Sequence, residues 1–296
     1  MTPDELRALL GERVLLLDGG LGSLLMAAGL ERGHAPEWWN LEHPDRVEAA
    51  HRGYVEAGSD IVHTNTFGAS PPKLQVAGLG GRCREIITAA VAIARKAGGA
   101  STLVAGDVGP SGLLLPPVGQ ATVEEVREAF REQLDNLAAA GVDLISIETM
   151  YDLREALAAV EAARETGLAV LASMTFEARK RGFFTIMGDP LAASLAALAD
   201  AGADAVGCNC SVTSSVMVGM VAEARRSVSA RLVAQPNAGQ PRVTPGGTSY
   251  DASPEEFARD LAAIVAAGAS LVGGCCGTSP EFIRCARAAL DAVVAR

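Results

Sequence analysis

Eight short apolar runs recur along the 296-residue chain, and each of them ends in glycine or polar residues. Near-continuous apolar runs of this length are typical of parallel strands that are buried on both faces. Their spacing leaves room for a helix between most neighbours, which is the alternation expected of strand–helix units. The runs cover residues 13–17, 60–63, 102–105, 143–147, 169–173, 203–206, 231–234 and 269–272.

Amphipathic helical patterns lie between several of these runs. The clearest covers residues 123–140, where apolar side chains recur along one stripe opposite glutamate and arginine. Four further helices are predicted over residues 153–166, 190–201, 214–227 and 254–267. Eight strand–helix units predict one domain over residues 1–296, a (β/α)8 TIM barrel with its active site at the strand C-terminal ends. An open doubly wound sheet is the alternative.

Charge and hydropathy exclude several classes of partner. The formal net charge is −10, whereas proteins that bind nucleic acid need a basic surface. The first residues lack the basic and apolar regions of a signal peptide, and no apolar run reaches membrane-spanning length. We therefore expect a cytoplasmic protein with no nucleic-acid or membrane partner. In that reducing compartment its six cysteines favour metal binding or catalysis over disulfides.

Two adjacent cysteines, Cys275 and Cys276, follow the last apolar run and are flanked by glycines. A vicinal pair does not easily form an unstrained disulfide, but two neighbouring thiolates bind a soft metal where glycine lets the chain turn sharply. A zinc site needs a further ligand, and Cys210 ends the sixth run in a similar way. Cys208 lies on the same side of a strand and remains an alternative, although Cys210 is further out.

Three thiolates around Zn²⁺ predict a particular chemistry. A substrate thiol in the fourth position would lose its proton, because coordination lowers the pKa of a thiol. The resulting sulfur nucleophile would attack an electrophilic carbon, so the pattern favours alkyl transfer to a thiol over hydrolysis. The alternative is that these cysteines are small core residues, since free cysteine often packs as a hydrophobe.

Other strand ends suit an amino-acid substrate. Asp18 and Glu148 are carboxylates that can receive an α-ammonium group, unless they serve as helix caps or salt-bridge partners. Gly19 and the glycine after it leave backbone N–H groups open to a carboxylate, and Thr66 can donate to the same group. The glycines after Asp18 lack the full spacing of a dinucleotide-binding loop.

Several residues are given structural roles. His63 is expected to pack or to hydrogen-bond near the barrel top without binding metal. Trp38 and Trp39 form either an anchor for a lid or a small core cluster, and the sequence leaves both open. The other histidines are expected on loops or helix surfaces: His34, His43 and His51.

Four motifs together resemble the homocysteine S-methyltransferase family, in the family's order and over nearly the whole chain. They cover residues 18–23, 64–69, 207–210 and 273–278. The resemblance implies a (β/α)8 barrel whose zinc is held by Cys210, Cys275 and Cys276. It also implies that homocysteine gives the fourth zinc ligand and becomes methionine. The residues that match the family's substrate site are Asp18, Gly19, Thr66 and Glu148, and we add Asn209 to this group.

The motifs are most similar to the homocysteine module of cobalamin-dependent methionine synthase. This similarity implies a methylated corrinoid as the donor, which we expect another domain or protein to supply. The alternative donors are S-methylmethionine, S-adenosylmethionine and betaine. A non-catalytic homocysteine-binding protein is a further alternative. A metal-dependent aldolase is disfavoured, because such enzymes prefer histidine ligands and none of the four histidines is well placed.

Overall fold

Eight parallel strands form a ring at the centre of the protein. The computed structural model describes residues 1–31, 33–240, 242–244 and 247–294. Each strand pairs with the next along the chain, the last strand, Ala269–Val272, pairs with the first, Leu15–Leu16, and a bridge from Leu17 to Ile61 joins the first strand to the second. The predicted barrel is therefore confirmed and the open sheet is wrong. Strands β1–β8 are Leu15–Leu16, Ile61–His63, Leu103–Val108, Leu144–Met150, Ala169–Met174, Ala205–Thr213, Arg231–Asn237 and Ala269–Val272.

Helices surround the ring, and the five predicted helices are all present. Val123–Ala140 begins with a capping box between Thr122 and Glu125 and ends at the left-handed Gly141. None of the helices in the described ranges has both the length and the apolar character needed to cross a bilayer. A short 3-10 helix covers Pro36–Trp38. The α-helices are Pro3–Glu12, Leu21–Ala27, Trp39–Glu42, Pro44–Glu56, Pro71–Val76, Cys83–Gly98, Val123–Ala140, Leu153–Arg164, Leu191–Asp200, Ser214–Ser227, Pro254–Ala266 and Pro280–Val294.

Two antiparallel hairpins were not predicted. Glu177–Arg179 pairs with Gly182–Phe184 after β5, and Arg242–Thr244 pairs with Gly247–Ser249 after β7. Both interrupt a strand-to-helix connection, so both lie on the side of the barrel where the strands end. Their strands are three residues long and contain no continuous apolar run, which is why the periodicity analysis missed them.

The core has an inner and an outer layer. Leu15 and Leu17 point into the barrel, whereas Leu16 between them packs outward against the helices. Leu6 and Leu10 of helix Pro3–Glu12 join the inner cluster from below β1. Because side chains fill the barrel and this helix covers its N-terminal end, the side at which the strands end is the accessible one.

Asp60 connects the closing contact between β1 and β2 to the last helix through hydrogen bonds. One carboxylate oxygen accepts hydrogen bonds from the Leu16 N–H at 2.8 Å and from Arg287 at 2.6 Å. The other accepts from Arg13 at 2.7 Å. A backbone donor and two guanidinium groups therefore depend on one carboxylate at the point where the ring closes.

We expect Asp60→Ala to lower the free energy of unfolding by about 2 kcal/mol, because it leaves the Leu16 N–H and the partly buried Arg287 guanidinium without this acceptor. Urea denaturation monitored by circular dichroism measures the change. Asp291→Ala is the matched control, since Asp291 contacts the same Arg287 but is mostly exposed. The control should cost no more than about 0.5 kcal/mol. Equal losses in the two variants would contradict the role of Asp60.

Candidate functional site

A cavity of about 610 Å³ opens where the strands end. Seven of the eight barrel strands, all except β5, contribute residues that line it at or just after their C-terminal ends. The barrel therefore collects polar residues that are far apart in the sequence into one chamber, as the strand pattern predicted.

Three cysteines meet on one wall of this cavity. Their Sγ atoms all lie within 4.8 Å of one another, and those of Cys210 and Cys276 are 3.9 Å apart. Zinc with thiolates at about 2.3 Å requires tetrahedral edges of about 3.8 Å, so Cys210, Cys275 and Cys276 fit the metal. Cys208 instead lies in the outer core, where burial raises the pKa of its thiol. The structure thus groups Cys210, and not Cys208, with the adjacent pair.

A left-handed turn at the end of β6 brings Cys210 to the cavity. Cys210 and Ser211 have φ values of 58° and 60°, and the pairing of β6 with β7 is irregular between Asn209 and Thr213. Non-glycine residues rarely adopt this conformation, which costs about 1–3 kcal/mol each. The turn breaks the usual alternation of a strand, so Asn209 and Cys210 both reach the site.

The segment that carries Cys275 and Cys276 is fixed against the end of β7. The Cys275 N–H donates to the Pro236 carbonyl at 2.9 Å, and the Ala238 N–H donates to the Cys276 carbonyl at 3.0 Å. Both cysteines are therefore held by backbone hydrogen bonds on either side of the pair. We call residues 273–278 the metal loop.

The three sulfur atoms share charge unequally. Hydrogen bonds from Cys275 and Cys276 lower the pKa of Cys210 to about 3. The same contact with Cys210, together with burial, raises the pKa of Cys276 to about 12 and also raises the pKa of Cys275. Three thiols in contact do not readily ionise together, and a divalent cation is what would allow all three to lose their protons.

Glu148 faces the cavity from the end of β4. Asn209 Nδ2 donates to the Glu148 carboxylate at 3.2 Å and to the Thr149 hydroxyl at 2.7 Å. Asn209 Oδ1 accepts from the Thr149 N–H at 2.8 Å, and Thr149 has a φ of 59°. Burial raises the pKa of Glu148 to about 7, against the effect of the nearby His63. A cationic partner would therefore stabilise the Glu148 carboxylate.

Asp18 lies beneath the cavity in a buried pair with His63. One carboxylate oxygen accepts from the His63 N–H at 2.9 Å and the other contacts His63 Nδ1 at 2.6 Å. His63 Nε2 lies 3.1 Å from the Ser146 hydroxyl. Burial opposes the charge on His63, but Asp18 outweighs it and the pKa of His63 rises to about 10. Asp18 thus forms an ion pair with the protonated ring of His63. His63 hydrogen-bonds near the top of the barrel, as the sequence predicted.

The predicted substrate residues fall into two groups. Gly19 and Glu148 line the cavity. Asp18, Thr66 and Asn209 are almost fully buried behind the lining. The Thr66 hydroxyl donates to the Asp107 carbonyl at 2.7 Å, which leaves it directed into the protein. In this conformation the second group contacts residues of the lining, namely His63, Asp107 and Glu148, and does not itself face the cavity.

Sequence analysis missed the residues of the outer cavity. Glu37 is buried and accepts a hydrogen bond from the Gly68 N–H at 2.5 Å. Lys73 places its ammonium 4.7 Å from the centre of the Phe67 ring. Tyr250 lies beside the cysteines. None of these residues ends a barrel strand, so the pattern that found the other site residues does not apply to them.

Two further expectations are decided by burial. Trp39 is buried in a small apolar cluster, whereas Trp38 is half-buried with the Arg82 guanidinium 4.6 Å from its ring centre.

The prediction that His51 lies on a helix surface is wrong, since it is fully buried and burial lowers its pKa to about 4. His51 shares the inward face of helix Pro44–Glu56 with Val47, one turn earlier.

Sequence comparison finds relatives over almost the whole chain. The methionine synthases of Mycobacterium tuberculosis and Mycobacterium leprae are 34% and 33% identical to it over 299 residues. Each alignment covers 95% of this chain but only 25% and 24% of the relative. The chain therefore spans about a quarter of the length of these curated relatives.

Solved structures and a family model agree with the sequence match. The homocysteine methyltransferase MmuM from Escherichia coli is 28% identical, and its metallated form superposes with a TM-score of 0.79 over 96% of this chain and 99% of that chain. A methyltransferase from Methanosarcina mazei, at 14% identity and a TM-score of 0.62, shares the fold. The model of homocysteine S-methyltransferases matches residues 15–290. The resemblance in the four motifs is thereby confirmed, and the chain belongs to the homocysteine S-methyltransferase family.

Proposed function

We propose that this chain methylates the thiol of L-homocysteine to form methionine at a zinc centre held by Cys210, Cys275 and Cys276. The observation that carries the proposal is the cluster of three Sγ atoms within 4.8 Å on a cavity wall. Bound there, zinc would supply Lewis acidity that lowers the pKa of a substrate thiol in the open fourth position. The six free thiols of the chain suit the reducing cytoplasm, where we place the reaction.

The amino-acid end of homocysteine would lie between Glu148 and Gly19. Glu148 gains a counter-ion from the α-ammonium group, which offsets the burial that raises its pKa. The backbone at Gly19 would receive the α-carboxylate. Asn209 orients the Glu148 carboxylate by direct hydrogen bonding. Asp18 and Thr66 act from behind, Asp18 by fixing the His63 charge near Glu148 and Thr66 by holding the Asp107 backbone.

We propose that the methyl donor is a methylated corrinoid carried by another domain or protein. Large exposed apolar side chains of the described residues lie between the end of a barrel strand and the first turn of the long helix that follows it, on the cavity side of the barrel. They are Met26, Val76, Leu114, Val118, Val123, Ile186 and Met187. Met26 and Val76 line the cavity itself, and exposed apolar side chains at its opening favour docking of a macromolecule. The similarity to one quarter of two methionine synthases supports the same donor.

A small cationic donor is the second candidate. The likeness to MmuM extends over 99% of that protein, which is a homocysteine methyltransferase of comparable length. Besides Glu148, the carboxyl groups of Glu37 and Asp107 line the cavity, and a sulfonium or quaternary ammonium group would stabilise their charged forms. Betaine, S-methylmethionine and S-adenosylmethionine share that positive charge.

A panel of donors tests the proposed reaction. Zinc-loaded protein is incubated with L-homocysteine and one of methylcobalamin, S-methylmethionine, S-adenosylmethionine or betaine, and methionine is quantified by mass spectrometry. We expect turnover with methylcobalamin. Turnover with a sulfonium or betaine donor alone would replace the corrinoid with the second candidate. No methionine from any donor, with zinc and homocysteine bound, would instead support a non-catalytic homocysteine-binding protein.

Cys276→Ala should abolish both stoichiometric zinc and methionine formation, because two thiolates and water hold zinc far more weakly than three thiolates. Zinc content after gel filtration is measured by inductively coupled plasma mass spectrometry. Cys208→Ala provides the control, since Cys208 lies in the same strand as Cys210 but packs in the core. Stoichiometric zinc in Cys276→Ala would refute the three-cysteine site.

Glu148→Gln should weaken the binding of L-homocysteine by about 1–3 kcal/mol, because a neutral amide replaces the carboxylate that pairs with the ammonium group. Isothermal titration calorimetry of the zinc-loaded protein measures the constant. Zinc content should stay at the wild-type level in this variant. An unchanged affinity for homocysteine would remove Glu148 from the substrate site.

A further inference from the structure

Thr278 ends the metal loop and hydrogen-bonds to two loops at once. Its hydroxyl donates to the Cys275 carbonyl at 2.6 Å and accepts from the Gly20 N–H at 3.1 Å. The Gly20 N–H also lies 3.2 Å from the Thr278 carbonyl. Gly20 belongs to the glycine loop after β1 that lines the cavity beside Gly19. One buried hydroxyl thus joins the backbone of the metal loop to the backbone of the proposed substrate site.

Two more side chains hold the same corner of the metal loop. Tyr54, which is fully buried on helix Pro44–Glu56, donates from its hydroxyl to the Thr278 carbonyl at 2.8 Å. Ser23 Oγ accepts a hydrogen bond from the Gly277 N–H at 3.0 Å. The end of the metal loop is therefore fixed from the helix after β1, from the next long helix and from the glycine loop.

The Thr278 hydroxyl does not serve as the cap of the following helix. Helix Pro280–Val294 begins two residues later, and the Ile283 N–H donates to the Ser279 carbonyl at 3.3 Å. The hydroxyl turns back toward Cys275 instead. The glycines around it leave the space that it needs, because a Cβ on Gly19 would lie 2.7 Å from Thr278 Oγ1 and one on Gly274 would overlap that atom.

We propose that Thr278 is a positioning residue whose hydroxyl fixes the Cys275–Cys276 ligand pair relative to the Gly19–Gly20 backbone. The proposal rests on the zinc site and substrate site of the proposed function. It follows from geometry, since the hydroxyl donates to a ligand residue and accepts from the loop that would receive the amino acid. Partners that orient metal ligands typically change metal affinity by about 10–100-fold when they are removed.

Thr278→Val tests this role, because valine keeps the shape of threonine and removes only the hydroxyl. The full chain is loaded with Zn²⁺ or Co²⁺, zinc affinity is measured by competition with a chromophoric chelator, and the cobalt–thiolate bands are recorded. We expect zinc affinity to fall by about 10–100-fold and the cobalt ligand-field bands to shift. Thr278→Ser, which keeps the hydroxyl, should restore the affinity and the bands.

Thr122→Val is a matched control, since Thr122 caps helix Val123–Ala140 far from the cysteines. It should lower the Tm and leave zinc affinity unchanged. Wild-type zinc affinity and cobalt bands in Thr278→Val would overturn the proposal.

If Thr278→Val does not fold, Tyr54→Phe replaces it, because it removes only the O–H that holds the Thr278 carbonyl. A shift of the cobalt bands in Tyr54→Phe supports the proposal that hydrogen bonds at Thr278 position the metal loop. Unchanged bands overturn that proposal. Cobalt–thiolate bands of wild-type position and intensity in Cys276→Ala, together with wild-type metal affinity, would show that the three-cysteine metal centre itself is wrong. That result separates a failure of the proposed function from a failure of Thr278 alone.

Discussion

Closure of the parallel sheet into a ring is the constraint on which the whole site depends. The Leu17–Ile61 bridge completes the ring, and Asp60 reinforces it from the side chain. Once the ring is closed, the ends of β6 and β8 must converge, although Cys210 and Cys276 are 66 residues apart. Burial of the barrel core thus offsets the entropy lost in bringing the cysteines together, so the proposed metal ligands meet as part of the fold.

Closure of the ring alone does not place every side chain of the site, and strained backbone at the ends of β4 and β6 is also needed. Thr149, Cys210 and Ser211 adopt left-handed conformations that β-strands normally avoid. Asn209 offsets the cost at Thr149 with hydrogen bonds to both its backbone and its hydroxyl, and the same amide orients Glu148. Cys210 is a proposed ligand, Ser211 follows it, and Thr149 follows the proposed substrate carboxylate of Glu148. Strain that persists because the surroundings hold it is characteristic of functional sites.

The sequence predicted the barrel and the three cysteines because both leave local signals. Buried parallel strands are apolar runs, and Cys275 and Cys276 stand between glycines at the end of such a run. Side-chain partners leave no comparable signal. The pairing of Asp18 with His63, the burial of His51 and the outer-cavity position of Glu37 all depend on contacts between distant segments. The choice between Cys208 and Cys210 needed the left-handed turn, which breaks the alternation assumed for a regular strand.

Helix Pro3–Glu12 and the packed inner core close the barrel from below. Among the described residues the cavity opens where the strands end, so both reactants of the proposed function would enter from that side. For a methyl transfer to a sulfur held on the chamber wall, the acceptor has to be seated before the donor covers the opening, and the product leaves only after the donor has withdrawn. In the proposed reaction, a closed base would thereby impose an order on binding and release, and the departure of a macromolecular donor would become a step of every turnover.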